Sequence, residues 1–396
     1  MQRITQAVIL AGGRGIRLRP ITNTTPKPLV EINGRPFLAH LLDLLKKNGI
    51  SEVVLLLGYL PEKIMEYVED GSKFGLSVRY SVGGVEDETG TRIKNAALLL
   101  ADHFLLLYCD NYWPLDLHAL EAFYRGKGTL ASVTVYANRD RAKKNNTKVE
   151  DGYVTAYDRS RTASDLNGVE IGFFIMDRSI TDMMPPGNFS FEDVIIPRLI
   201  ASRELAGFMT DHAYYSIGSL ERLPETEKFL RPRSVVFLDR DGVINKRPPQ
   251  GEYVKNIGEF EFLSGVREAL RLLKEDGAEV YIITNQAGIG RGMMTEADLA
   301  AIHEYLRRDA ARAGGAINAI YYCPHAWDAG CECRKPRPGM FFRAGREHAI
   351  NLTASWYVGD DQRDREVGDA AGCRTVLVTP EKNLLDIVRN EILVHE

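Results

Sequence analysis

Three groups of residues along this chain have types and spacings that could do chemistry. The first is Val235-Val-Phe-Leu-Asp-Arg-Asp-Gly-Val. An apolar strand delivers Asp239 at its end, and the turn that follows lets Asp241 share the same pocket. One carboxylate can attack phosphorus while the other, when protonated, donates to the leaving alkoxide and later activates water. Thr284-Asn-Gln-Ala-Gly-Ile-Gly-Arg-Gly, Arg334-Lys-Pro-Arg-Pro-Gly and Val358-Gly-Asp-Asp follow in order and add hydroxyl, cationic and further carboxylate groups. The second group is Cys323-Pro-His-Ala-Trp-Asp-Ala-Gly-Cys-Glu-Cys. Cys323, His325, Cys331 and Cys333 offer four soft donors from one short loop, enough to close the tetrahedron of a structural Zn²⁺ with no open position. Its last ligand runs directly into Arg334 and Lys335, so the metal would pin the loop that presents them. The third group is Leu10-Ala-Gly-Gly-Arg-Gly-Ile-Arg, followed by Thr25-Pro-Lys-Pro-Leu. Glycines at 12, 13 and 15 let backbone N–H groups approach an anion, and Arg17 and Lys27 supply the mobile charge a triphosphate requires. This string is neither a P-loop, which needs Gly-Lys-Ser/Thr, nor a spaced dinucleotide fingerprint.

The elements that must position these groups alternate between short apolar strands and amphipathic helices, the pattern of sheets covered by helices. In the first half, 7–10, 53–57, 104–108 and 131–136 read as strands. Residues 36–48 read as a helix with Leu38, Leu41, Leu42 and Leu45 on one face, ended by Gly49. The polar stretch Arg231-Pro-Arg-Ser precedes a fresh strand and marks a boundary between domains 1–230 and 233–396. The second series runs strand 235–238, helix 266–276, strand 280–283, helix 296–313, strand 356–358 and strand 375–378. The expected fold class is α/β in both halves. Length fits two or three domains, and 396 residues with 44% hydrophobic and 26% charged content exclude disorder and fibrous or small disulfide scaffolds. A net charge of −4 leaves no surplus positive field for nucleic acid. Five cysteines, three of them in the Cys323–Cys333 loop, suit a reducing compartment, so a cytoplasmic location is expected. Cys109 and Cys373 read as core thiols. The apolar start is too short for an export signal, and no run is long enough to span a membrane.

The glycine-rich string with its arginine and Pro-Lys-Pro closely resembles the signature of the sugar-1-phosphate nucleotidyltransferases, and further matches cover most of the first half. The resemblance implies a Rossmann-like, GT-A-like mixed sheet in which Gly12, Gly13, Arg14 and Gly15 hold the nucleotide and Arg17 and Lys27 neutralise its phosphates. Asp110, ending Leu107-Tyr-Cys-Asp, falls where the family places a carboxylate for Mg²⁺, which neutralises charge as pyrophosphate leaves. Glu88, Gly90 and Thr91 fall in the loop near base and sugar, Glu170 on the sugar-facing strand, and Phe189-Ser-Phe-Glu-Asp with Pro197 on a family helix. There are departures. The family's second metal carboxylate is replaced by Ser216 in Tyr214-Tyr-Ser-Ile-Gly-Ser, Ile16 stands where threonine is common, and Thr89 where leucine is common. The first domain is thus expected either to turn over or to bind a sugar nucleotide without turnover, with turnover favoured by Arg17, Lys27 and Asp110.

The motifs of the second half resemble those of the haloacid dehalogenase superfamily in its phosphatase branch, which implies a parallel Rossmann-like sheet between helix layers. By that resemblance Asp239 is the nucleophile and Asp241 the general acid and then base. Thr284 and Lys335 hold phosphate, and Asp239, Asp360 and the backbone carbonyl of Asp241 coordinate Mg²⁺. Asn285, Gln286, Arg291 and Arg334 fall on substrate-binding positions. With the Cys/His loop, the segment looks like the heptose bisphosphate phosphatases and the histidinol phosphate phosphatases. The fusion separates these. Removing the 7-phosphate of a heptose 1,7-bisphosphate leaves a sugar 1-phosphate, the substrate class of the first domain, whereas histidinol phosphate offers no such hand-over. The expectation is therefore a bifunctional enzyme of nucleotide-activated heptose synthesis acting on heptose phosphates. By resemblance to the heptose 1-phosphate guanylyltransferases it takes GTP and the α anomer. A hexose such as mannose 1-phosphate stays open for the first domain, as do a sensor role for that domain and assembly as a homo-oligomer.

Overall fold

The computed structural model describes residues 3–139 and 141–394 and divides into two compact units, Met1–Leu230 and Arg231–Glu396. The first is built on a nine-stranded sheet. Its parallel half runs, in spatial order, Ser77–Val82, Glu52–Leu57, Gln6–Ala11 and His103–Tyr108. Val169–Asp177 is then inserted antiparallel between His103–Tyr108 and Ala131–Tyr136. Leu205–Thr210 runs parallel to Ala131–Tyr136, and Tyr153–Tyr157 and Thr147–Glu150 close the edge antiparallel. The central strands are fully buried apolar runs, as expected where helices cover both faces. The helix read from the leucine stripe spans Phe37–Lys47, with Leu38, Leu41, Leu42 and Leu45 all buried, and Gly49 takes the positive φ that ends it.

The strand ends converge on one place. Gln6–Ala11 runs into the glycine loop, and His103–Tyr108 runs into Asp110. A two-stranded ribbon pairs Asn111–Tyr112 with Tyr215–Ser216, and the Ile217 N–H donates to the Asp110 carbonyl at 2.9 Å. Ser216 therefore stands beside Asp110, although about a hundred residues separate them in the chain.

The second unit is a five-stranded, wholly parallel sheet in the order Ala319–Cys323, Glu279–Asn285, Val235–Leu238, Trp356–Gly359, Arg374–Leu377. The chain starts in the centre, builds outward to one side, then crosses to the other, so a crevice opens at the carboxyl ends of the middle strands. Asp239 follows the central strand, Asp360 follows its neighbour on one side, and Thr284 lies at the end of its neighbour on the other. Helices Val266–Glu275 and Glu296–Arg312 pack one apolar cluster, and Gly339–His348 packs the other. Among the described residues no helix is long and apolar enough to cross a membrane.

Candidate active sites

In the second unit, Asp239, Asp241, Thr284, Asn285, Arg334 and Lys335 line one cleft of about 490 Å³. Lys335 is its buried cation. Its Nζ donates to Asp239 Oδ1 at 2.9 Å, Asp364 Oδ1 at 2.7 Å and Tyr357 Oη at 3.1 Å. Its backbone is clamped by Asn285, which donates to the Lys335 carbonyl at 3.2 Å and accepts its N–H at 3.1 Å. Asn285 thus positions the lysine. Asp239 Oδ1 also accepts the Arg240 N–H at 2.7 Å. Among the described residues Asp239 Oδ2 has no protein partner, both of these contacts being to Oδ1.

Carboxylate oxygens of Asp239, Asp360 and Asp364 lie within 4.8 Å of one another. Burial, outweighing the Lys335 charge and reinforced by Asp364, pushes Asp239 up to about 7. Burial and then the Asp239 charge push Asp360 up to about 8. Lys335 is raised as well, its carboxylate neighbours overcoming the burial that opposes its charge. Two acids and a base all holding protons more tightly means one thing physically: the cluster is short of positive charge. A divalent, oxygen-seeking cation such as Mg²⁺ fits that donor set. Asp364 is the least available of the three for a metal. It accepts from Lys335 and, at 2.6 Å, Tyr357 on Oδ1, and from the Asp360 and Asp361 N–H groups on Oδ2. Asp239 and Asp360 remain the open pair, and Arg247 Nη2 currently reaches Asp360 Oδ1 at 2.7 Å.

The Asp241 side chain lines the same cleft but is held by other partners. Arg240, fully buried, donates to both of its oxygens at 3.0 and 2.9 Å. Asn245 Nδ2 and Gln286 Nε2 add bonds of 2.9 and 2.8 Å. Both Asp241 oxygens are thus held as hydrogen-bond acceptors. His303 stands 3.4 Å from the far side of Arg240, and burial followed by the Arg240 charge lowers it to about 3, so a neutral ring backs the buried guanidinium. Gln286 therefore orients Asp241 and does not line the cleft. Arg291 does not line it either; its guanidinium lies 4.7 Å from the Trp327 ring centroid and bonds the Gly251 carbonyl. Trp327 itself faces the cleft, as do Arg247 and Arg363.

The four soft donors come together. Cys323 Sγ is 3.6 Å from His325 Nδ1 and 3.5 Å from Cys331 Sγ, and Cys333 Sγ is 3.2 Å from His325 Nδ1 and 3.5 Å from Cys331 Sγ. Sulfurs about 2.3 Å from a tetrahedral Zn²⁺ stand roughly 3.8 Å apart, so the spacing fits that ion with slight expansion. Cys109 and Cys373 are buried singly.

In the first unit, Gly12, Gly13, Gly15, Arg17, Lys27, Glu88 and Asp110 line a cleft of about 340 Å³ together with Ile16, Thr89, Tyr108 and Gly218. Lys27 is ion-paired to Asp110. Gly12 is required by packing: a Cβ there would lie 2.3 Å from the guanidinium carbon of Arg92, a buried side chain whose Nη1 donates to the Leu57 carbonyl at 2.7 Å. Other residues expected at this site do not line the cleft. Arg14 pairs with Glu86. Gly90 lies under the Phe189 ring, and Thr91 accepts the Phe189 N–H at 2.9 Å, so both anchor the loop ahead of the helix Phe191–Ala201. Glu170 does not line the cleft either, and burial pushes it to about 8 despite the Gly172 N–H. Asp364, Arg240, Arg247 and Trp327 were not singled out from sequence. Only Asp364 carried a signal, four residues after Asp360 on the first turn of a helix.

Known proteins resemble each unit. Residues 6–161 match the nucleotidyl transferase family model and residues 332–390 the HAD-hydrolase-like model. Over 152 residues the chain is 41% identical to a D-glycero-beta-D-manno-heptose-1,7-bisphosphate 7-phosphatase of Pseudomonas aeruginosa, covering 38% of this chain and 84% of the relative. A putative glucose-1-phosphate thymidylyltransferase from Bacillus anthracis superposes with a TM-score of 0.52 at 18% identity, covering 57% of this chain and 95% of that one, which shows a shared fold. HddC from Yersinia pseudotuberculosis gives a TM-score of 0.49 at 24% identity, covering 57% and 99%.

Proposed function

Because the chain belongs to the family of the D-glycero-beta-D-manno-heptose-1,7-bisphosphate 7-phosphatases, we propose that its second unit removes the 7-phosphate of that sugar and its first unit transfers a nucleotidyl group to the heptose 1-phosphate so formed. The observation that carries the reading is that one chain holds both a buried Asp239–Lys335 phosphate cleft and a glycine-loop cleft of the nucleotidyl transferase fold.

In the first step Asp239 Oδ2 attacks the C7 phosphorus, the bond from phosphorus to the C7 oxygen breaks, and Asp241 gives its proton to the leaving oxygen. Asp241 must leave Arg240 and take up a proton before it can act as acid. Water, losing a proton to Asp241, then attacks the aspartyl phosphate and frees inorganic phosphate. Lys335 and Thr284 hold the phosphoryl oxygens. Mg²⁺ held by Asp239 and Asp360 would remove the repulsion between a carboxylate nucleophile and an anionic ester. Cys323, His325, Cys331 and Cys333 would hold a structural Zn²⁺, which would pin the loop that presents Arg334 and Lys335. In the first unit an oxygen of the sugar phosphate attacks the α-phosphorus of the nucleotide, the bond to the β-phosphate breaks, and pyrophosphate leaves. We take the nucleotide to be GTP, on the resemblance to the guanylyltransferases. Reduced thiols at the zinc loop support a cytoplasmic location.

The test is to incubate the protein with heptose 1,7-bisphosphate, Mg²⁺ and each nucleoside triphosphate, following phosphate and pyrophosphate separately. No phosphate release overturns the heptose reading. Phosphate without pyrophosphate under any nucleotide supports a second reading, favoured by Ser216, in which the first unit only binds a sugar nucleotide. Faster transfer to hexose 1-phosphates than to heptose 1-phosphate replaces the sugar.

A further inference from the structure

The Ser216 corner of the first-unit cleft does not fit a second carboxylate-held cation. Ser216, where the resemblance expects that carboxylate, is buried beside Asp110, and its Oγ accepts the Gly218 N–H at 3.0 Å. Arg222 Nη1 stands 3.5 Å from the same oxygen. A neutral hydroxyl is a poor ligand for a divalent ion and the guanidinium beside it repels one, while Asp110, the carboxylate next to Ser216, already carries the Lys27 ammonium. Where the resemblance expects an anion, this corner presents a cation.

Two cations meet at that corner. A side-chain carbon placed on Gly218, which lines the cleft, would lie 3.6 Å from Arg222 Nη1 and 3.8 Å from Arg17 Nη2. The two guanidinium groups thus converge on one face of a residue that has no side chain to fill the gap. Among the described residues neither has a carboxylate within salt-bridge distance, whereas Arg14 is paired to Glu86 and Lys27 to Asp110. Converging, unpaired guanidinium groups over a glycine match the oxygens of a phosphate, each offering a planar fork of donors. We infer that Arg222 is a phosphate-binding residue of this cleft, sharing with Arg17 the charge neutralisation that a second metal carboxylate would otherwise organise. The inference rests on the nucleotidyl-transfer reading of the first unit. The bound oxygens belong either to the nucleotide's polyphosphate or to the sugar 1-phosphate.

The experiment uses the full chain. Calorimetric binding of inorganic pyrophosphate and of mannose 1-phosphate is measured, with and without Mg²⁺, for wild type, Arg222→Gln, Arg222→Lys and Ser216→Asp. Phosphatase turnover by the second unit and the melting temperature check folding. Arg222→Gln is expected to weaken one probe at least about five-fold, with phosphatase turnover unchanged and partial recovery in Arg222→Lys. Loss of pyrophosphate binding identifies the nucleotide as the source, and loss of mannose 1-phosphate binding identifies the sugar phosphate. Ser216→Asp is expected to weaken the same probe without Mg²⁺, because the new carboxylate engages the guanidinium. Affinities within two-fold of wild type for both probes in Arg222→Gln would overturn the inference. So would a Ser216→Asp variant that tightens Mg²⁺ and speeds pyrophosphate release. Wild type binding both probes but releasing no pyrophosphate with any nucleotide overturns the transfer reading alone; wild type binding neither overturns both.

Discussion

Replacing Lys335 with methionine tests the phosphatase cleft at its most constrained point. The lysine side chain is 5% exposed, and its carboxylate partners Asp239 and Asp364 are 8% and 2% exposed. Methionine keeps the stem and deletes the charge, leaving two buried acids without their cation. Breaking a buried pair in this way costs about 3–5 kcal/mol. At roughly 2–4 °C per kcal/mol for a domain of this size, the second unit should melt about 6–20 °C lower. Added Mg²⁺ should recover part of that loss, since the remaining cluster is then shorter still of positive charge. Turnover should fall about a hundred- to a thousand-fold, the usual cost of losing one well-placed donor to a transferring group. Scanning calorimetry of the full chain and a phosphate-release assay read the two effects, and pyrophosphate release by the first unit serves as the control. A Lys335→Met protein that melts within 2 °C of wild type, or that keeps phosphate release within ten-fold, would refute the reasoning.

Gly242→Ala should lower phosphatase turnover and weaken Mg²⁺ activation at least ten-fold, because the residue sits at φ 102° and a Cβ there would lie 1.8 Å from Asp360 Oδ2; a magnesium titration of the remaining phosphate release checks it. Cys331→Ser should reduce bound zinc from one ion per chain to a small fraction by elemental analysis, lower the melting temperature of the second unit and raise its KM for substrate, while leaving the first unit's pyrophosphate release intact. Glu170 is held protonated by burial up to about pH 8. A carboxyl whose folded pKa is raised contributes stability that is full below its ordinary pKa and lost as pH rises toward the folded value. Melting of the first unit should therefore fall between about pH 4.5 and pH 8, at up to about 1.4 kcal/mol per pH unit. Glu170→Gln should flatten that fall, and a slope equal to wild type would exclude Glu170 as its source.

What was legible in the sequence was chemistry placed at strand ends. Asp239, Thr284 and Asp360 stand out because an apolar run stops at each and a polar group follows, and the carboxyl ends of parallel strands are where such a sheet opens. The leucine stripe of Phe37–Lys47 and the central strands were readable for a similar reason, since each buries a clear apolar pattern. The strand Ser77–Val82 mixes serine, arginine and tyrosine with its valines, and Thr147–Glu150 and Tyr153–Tyr157 at the other edge are only partly buried, so periodicity is weak there. The site residues that escaped notice are those whose role depends on direction. Arg240 reads as a surface arginine until the fold turns it inward onto Asp241. Asp364 is one acid among several in Asp361–Asp369 until the helix brings it to Lys335. Gly90 and Thr91 sit in a cleft motif yet serve the Phe189 loop, a tertiary contact about a hundred residues distant. The pairing of Ser216 with Arg222 likewise needs the ribbon that carries Ser216 to Asp110.

The central claim is that one chain performs two successive reactions at two separate clefts, and an Asp239→Asn variant tests it most directly. Given heptose 1,7-bisphosphate, Mg²⁺ and GTP, wild type is predicted to release phosphate first and pyrophosphate after it. The variant should release neither from the bisphosphate, yet release pyrophosphate at the wild-type rate when supplied with heptose 1-phosphate. Phosphate release retained in the variant, or pyrophosphate release lost with the monophosphate substrate, would contradict the account.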